Sequence, residues 1–263
     1  MKENFFPSRI IEIVGLLLIS LLLPAPYLFM ARKGLPTEMN YLIFLVLWLS
    51  IFIGISIFVN RRRKQKMELN FKIVDFRYLY LMLIIILIFK IGFNIPVDNL
   101  IGNTKLSNPF INLSYVLVLV IIAPILEEFI FRGIILKGLL TRYSPKFAII
   151  VSALLFGLFH FSSQQIWHAF LMGLLWGWIY YKTKSIGTVI LLHCFSNFIV
   201  QGYEYMIYKY SDSYPISSVN ILLIIFSVPV LILMIRILVI KMTSLDSIII
   251  KKTINELPIN HHY

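Results

Sequence analysis

The stretch Ala123-Pro124-Ile125-Leu126-Glu127-Glu128-Phe129-Ile130-Phe131-Arg132 sets two adjacent carboxylates behind more than a dozen uncharged residues. A carboxylate at mid-bilayer costs at least about 2.5–3.5 kcal/mol, so acids inside an apolar run point to function. On a helix Glu128 and Arg132 stand four apart with the acid first, the better orientation for an ion pair on one face. Glu127 is turned about 100° away and meets no cation at that spacing. This spacing predicts a structural pair, Glu128 with Arg132, and a free carboxylate, Glu127, able to take a proton. The competing reading is a helix end at which both acids reach for water.

Two histidines add to the inventory. His160 and His193 are two of the three histidines outside the C-terminal tail, and both fall in apolar runs. Phe156 lies four residues before His160 and Asn197 four after His193, so each pair shares a helix face. His193 and Asn197 can thus turn into one cavity. Taken singly, each imidazole could equally be a buried ring satisfied by a backbone carbonyl. Cys194 is the chain's one cysteine, which excludes an intrachain disulfide, and beside His193 it diverges on a helix, as a packing residue would. His168 reads as interfacial or core, and His261 with His262 as part of a tail.

The elements that must carry these groups are apolar. Hydrophobic residues make up 59% of 263, charged residues 14%, and mean hydropathy is +0.87, which excludes a soluble domain and predicts an all-α polytopic membrane protein. Eight runs are expected: about 10–30, uncleaved and broken by Pro24 and Pro26; 41–59; 78–93; 111–131; 147–161; 166–181; 186–202; and 219–240. A polar loop with Asn94, Asp98 and Asn99 follows the third run, and an interfacial elbow, 133–146, the fourth. Gly173 and Gly177 have the small-xxx-small spacing that lets helices approach closely. Three units are expected: spans 1–3 with a basic loop in 1–110, spans 4–7 in 111–203, and a last span with its tail in 204–263.

The charge of +12 comes largely from bases between the runs, as in Arg61-Arg62-Arg63-Lys64-Gln65-Lys66. Anionic lipid and topology account for it, and nucleic acid is not an expected partner. With eight crossings, both termini inside puts most of the 24 Lys and Arg on the cytoplasmic side. A polar cavity opening towards that side is expected.

Glu127-Glu128-Phe129-Ile130-Phe131-Arg132 resembles an EExxxR motif, Phe156 to His160 an FxxxH motif and His193 to Asn197 an HxxxN motif. Their order is similar to that of the CAAX protease and bacteriocin-processing family, which includes the Ras-converting CAAX prenyl endopeptidases and bacterial abortive-infection proteins. The resemblance covers roughly residues 111–203, marks spans 4–7 as the catalytic core and implies intramembrane proteolysis. Under it, Glu127 is the general base for a water also held by His160, and His193 with Asn197 stabilises the oxyanion. Glu128 and Arg132 hold the helix. Members are described both as glutamate-type and as metal-dependent proteases. A metal-free site is the preferred reading. Zinc remains open, with Glu127, His160 and His193 as its ligands.

The expected function is an endopeptidase of a bacterial cell membrane, acting on membrane-bound peptides, peptide precursors or lipidated proteins. Its alternatives are a non-catalytic scaffold or immunity protein keeping the motifs, and an ion-coupled transporter using Glu127 as a proton site.

Overall fold

The computed structural model describes residues 5–29, 37–101, 116–160, 163–210 and 217–255. Residues 111–115 of the fourth run, Phe161, the polar loop at Ser211 to Ser213, His261 and His262 lie outside them. Nearly all of the rest is helical: α1 (Ile10–Leu22), α2 (Ala25–Phe29), α3 (Thr37–Arg62), α4 (Phe76–Leu100), α5 (118–140), α6 (Pro145–Leu158), α7 (Ser163–Thr183), α8 (Ile186–Tyr210) and α9 (Ser217–Asn255). The break between α1 and α2 falls at Leu23 and Pro24, as the prolines require.

Among the described residues, five stretches are long and apolar enough to cross a membrane: Ile10–Tyr27, Ile43–Arg62, Phe76–Leu100, Ile186–Lys209 and Ser218–Thr243. The chain is thus an integral membrane protein. α5, α6 and α7 are outside that set, for a physical reason. α6 has 14 residues, about 21 Å of helix, against a hydrocarbon core of about 30 Å. These three helices bury much of their surface in protein. Ile130, Phe131, Ile134, Ile135 and Leu136 of α5 are fully buried, whereas α9 exposes Ile221, Leu222, Ile225, Phe226, Ile232 and Leu233. Close packing of α6 on α7 uses the expected glycines. A methyl group at Gly173 would stand 3.0 Å from Ala153 Cα, and one at Gly177 3.2 Å from Ile149 Cγ2.

Two boundaries differ from the sequence reading. Helix α4 runs through Asn94, Asp98 and Asn99 to Leu100, so those residues belong to a span and not to a loop. Helix α5 continues past Phe131 to Leu140, and the proposed elbow 133–146 is buried helix over most of its length. Both extensions work through wide turns. Lys90–Asn94, Val118–Ile122 and Phe129–Leu136 are π-helical, with the 95→90 and 123→118 amide bonds closing the first two. Pro96 and Pro124 stand two residues beyond those first two segments. Proline has no N–H to give the preceding turn, and in lipid a freed carbonyl must find another donor. Ser227 Oγ of α9 donates to Gly92 O (2.7 Å), and Asn197 Nδ2 of α8 to Leu119 O (3.0 Å). Ser152 Oγ of α6 likewise donates to Phe131 O in the third wide segment (3.0 Å). The wide turns that widen α4 and α5 are therefore also where neighbouring helices dock.

The chain between α3 and α4 ties down the start of α8. Ser185 accepts from Thr188 N as a cap (3.0 Å) and donates to Lys72 O (2.6 Å), while Ile186 N donates to Asn70 O (2.8 Å). This fixes the position of His193, about two turns along α8.

Candidate active site

Helix α5 supplies both acids. Glu128 and Arg132 are buried with no exposed side-chain surface, and Arg132 Nη1 donates to Glu128 Oε1 at 3.0 Å. A second guanidinium nitrogen, Nη2, donates to Gly173 O of α7 (3.2 Å). The guanidinium carbon lies 4.7 Å from the centre of the Phe156 ring, a cation–π contact that further offsets its burial. The local ion pair read from spacing is therefore present, and it joins α5 to α6 and α7.

Helix α8 brings His193 against both acids. Its Nδ1 is 2.8 Å from Glu128 Oε1, and its Nε2 is 3.8 Å from Glu127 Oε2. A carboxylate only accepts, so Nδ1 carries the hydrogen. Trp176 of α7 stacks on the imidazole at 5.2 Å and 27°, and Phe156 meets it edge-on at 5.8 Å. The row Arg132–Glu128–His193–Glu127 thus passes between two helices, α5 and α8, with charge alternating along its first members.

His160 follows the end of α6. Its Nδ1 is 2.8 Å from Phe156 O, and because a carbonyl can only accept, the hydrogen sits on Nδ1. Nε2 of the neutral ring is then the acceptor. The Phe156 ring stands edge-on to His160 at 4.9 Å and to Phe131 at 5.0 Å. One aromatic residue consequently orients both histidines and the arginine, a role its motif position alone did not disclose.

These groups face one cavity of about 670 Å³, whose lining includes Glu127, His160, His193 and Asn197. All four sequence-selected residues are brought together there, while Glu128 and Arg132 stand behind the wall. Asn197 gives one amide hydrogen to Leu119 O and keeps a second. The sequence reading did not single out Trp176, Lys90 and Gln201 as lining residues, and it took His168, which also lines the cavity, as interfacial or core. The Trp176 signal was available in its spacing, three residues after Gly173 on the face that meets α5. Among the described residues, no three His, Cys, Asp or Glu side chains are close enough to form a metal-ligand set. Glu127, His160 and His193 share the cavity without that geometry, and no step below runs through a metal.

The cavity also sits elsewhere than the charge pattern suggested. Trp48, Lys90 and Gln201 lie 14, 14 and 15 residues from Arg62, Phe76 and Ile186, about 21 Å along their helices from the basic end. The lining thus reaches towards the opposite end of the bundle, and the wide turn Lys90–Asn94 likewise falls late in α4.

Residues 109–199 match the model of the type II CAAX prenyl endopeptidase Rce1-like family. Through this segment the chain is similar to the CAAX endopeptidases. The chain is also 35% identical over 80 residues to a Bacillus subtilis (strain 168) protein named "Putative membrane peptidase YdiL"; the alignment covers 30% of this chain and 33% of that relative. The chain thus spans about a third of the length of the curated relative it matches. No solved structure matches it significantly. The family segment contains every motif residue above, from Glu127 to Asn197, and leaves α1 to α4 and α9 outside it.

Proposed function

We propose that this protein is a membrane-embedded endopeptidase that hydrolyses peptide bonds of membrane-associated substrates, CAAX-type lipidated proteins or peptide precursors among them. The similarity of residues 109–199 to the CAAX endopeptidases supports the reaction class. One observation carries the reading: a free acid, Glu127, and the acceptor nitrogen of His160 line the same cavity inside a bundle of apolar helices.

In this reading Glu127 and His160 Nε2 hold a water between them. Glu127 takes one proton as the water oxygen attacks the substrate carbonyl, and returns it to the departing amine as the carbon–nitrogen bond breaks. The products are a carboxylate and an amine. The oxyanion formed on the way is met by the second amide hydrogen of Asn197. His193 can add a donor from Nε2 only as the imidazolium, because Nδ1–H already goes to Glu128. Glu128 and Arg132 position His193 without touching substrate. We further propose that both termini are cytoplasmic, in the membrane of a bacterial cell.

The test compares membrane peptides, by mass spectrometry, from cells carrying the intact chain and from cells carrying Glu127→Ala. A fragment that accumulates only with the intact chain names the bond that is cut. Identical profiles, with both proteins present at equal level, overturn the reading.

A further inference from the structure

The cavity holds a cation for which hydrolysis has no use. Lys90 stands on α4, outside the matched segment 109–199, is only 6% exposed, and lines the cavity that holds Glu127, His160 and His193. An ammonium has three donors. Among the described residues one goes to Asn94 Oδ1 (2.9 Å), and Asn94 Nδ2 in turn donates to Asp98 Oδ2 (2.7 Å). Lys90, Asn94 and Asp98 are each four apart, so they form a single line down one face of α4. The ammonium therefore meets Asp98 through a neutral amide, not directly, and lies 5.9 Å from the Phe89 ring, so among the described residues no carboxylate pairs with it at close range on α4. Asp98 retains one oxygen without a partner among the described residues.

A second group points the same way. His168 of α7 lines this cavity too, and its Nδ1 is buried without a hydrogen-bond partner among the described residues. Much of the rest of this wall is apolar, with Phe44, Leu45, Ala169 and Met172. A membrane protein retains such a charge at a cost unless something anionic meets it there. Lys90 opens the wide turn Lys90–Asn94, two residues beyond which stands Pro96.

We propose that Lys90, assisted by His168, binds a carboxylate of the peptide substrate and thereby selects which bonds reach Glu127. This rests on the proteolytic reading above. A volume of about 670 Å³ is of the size that encloses a small ligand. The carboxylate and the cut bond are then separated by a few residues at most. Two sources present this chemistry, the free C-terminus of the substrate and an acidic side chain close to the cut.

The experiment measures binding, so it does not depend on turnover. Full-length protein carrying Glu127→Gln, in detergent micelles, is titrated by microscale thermophoresis with N-acetyl-trileucine as the free acid and as the C-terminal amide. A third probe is the amide of N-acetyl-Leu-Glu-Leu. The free acid is expected to bind at least about tenfold tighter than the trileucine amide. Lys90→Met should abolish that preference and Lys90→Arg should keep part of it. If the glutamate probe matches the free acid, a side chain supplies the carboxylate; if it matches the trileucine amide, the C-terminus does. Equal binding of acid and amide, absence of saturable binding, or a preference that survives Lys90→Met overturns the proposal. The acid–amide comparison needs no Lys90 variant, so it stands even if Lys90→Met fails to fold. A chain that discriminates but never cuts would sink proteolysis alone, and one that cuts without discriminating would sink Lys90 alone.

Discussion

Two polar networks share the cavity, and they are built alike up to a point. Each starts from charged residues at helical spacing at a wide turn, Glu128 and Arg132 on α5, Lys90 and Asp98 on α4. On α5 the opposite charges touch directly at 3.0 Å, Gly173 O and the Phe156 ring meet more of the guanidinium, and Glu128 Oε2 and Arg132 Nε stay unmatched among the described residues. On α4 an amide is interposed between the charges, and Asp98 and Asn99 each keep an unmatched oxygen among the described residues. The difference separates a frame from a receptor. A closed pair can hold His193 still, whereas an open one leaves an ammonium with capacity for a ligand.

The largest effect should come from the cavity side of the first network. Glu127→Gln keeps the shape and removes the base, and His160→Ala removes the second hold on water. Each is expected to lower cleavage of an identified substrate by about 10²–10⁴-fold. The protein should still be recovered folded, as judged by thermal unfolding in detergent. Cleavage within a few-fold of the parent would erase the distinction between a chemical group and its frame.

Next comes the frame itself. Arg132→Met strands the Glu128 carboxylate, fully buried beside His193, and breaking a buried pair from one side costs about 3–5 kcal/mol. Asn94→Leu removes the amide between Lys90 and Asp98 and should cost less, about 1–3 kcal/mol, because it removes a neutral bridge and not one half of a direct, fully buried ion pair. Thermal unfolding of the two variants under one detergent condition compares them. A reversed order would mean that the α4 line, and not the α5 pair, holds the site together.

The two networks also differ in how far sequence could reveal them. Glu128 with Arg132, and the freedom of Glu127, follow from four-residue spacing within one helix, and the structure has that pair. The meeting of His160 and His193 was inferred from the coincidence of rare residues, and packing of three helices accounts for it. Lys90 was invisible because Asn94, Pro96, Asp98 and Asn99 read as a polar loop. A loop would have kept those groups in water. Pro96 instead opens a wide turn, Ser227 of α9 satisfies the carbonyl it frees, and the helix continues to Leu100. That compensation is tertiary, with 135 residues between donor and acceptor, so local pattern could not show it. The same holds for Asn197, whose amide answers Pro124 across α8 and α5.

Gly173 allows a finer cut. Its carbonyl accepts from Arg132, and a methyl group on it would sit 3.0 Å from Ala153 Cα and 3.3 Å from Phe156 Cδ1. Gly173→Ala must push α7 from α6 by a few tenths of an ångström, at about 1–3 kcal/mol. Because Phe156 also orients both histidines, cleavage should fall with stability, while the acid–amide preference at Lys90 should persist. Loss of that preference would show that the two networks move as one.

The smallest effect is expected at Cys194, which tests whether proximity in sequence to His193 means anything. Neighbours on a helix diverge by about 100°, so the thiol cannot share the face that His193 turns to Glu128. It is a free, half-buried side chain. Cys194→Ala removes one sulfur atom from a packed but partly exposed position, and stability should stay within about 0.5 kcal/mol. Cleavage should stay within about twofold. A thiol mechanism makes the opposite prediction, loss of cleavage in Cys194→Ala and after alkylation of the parent, with Glu127→Gln affected less. Since Cys194 is the chain's single cysteine, alkylation followed by mass spectrometry reads its occupancy directly. Full modification with cleavage intact would leave the water held by Glu127 and His160 as the attacking group.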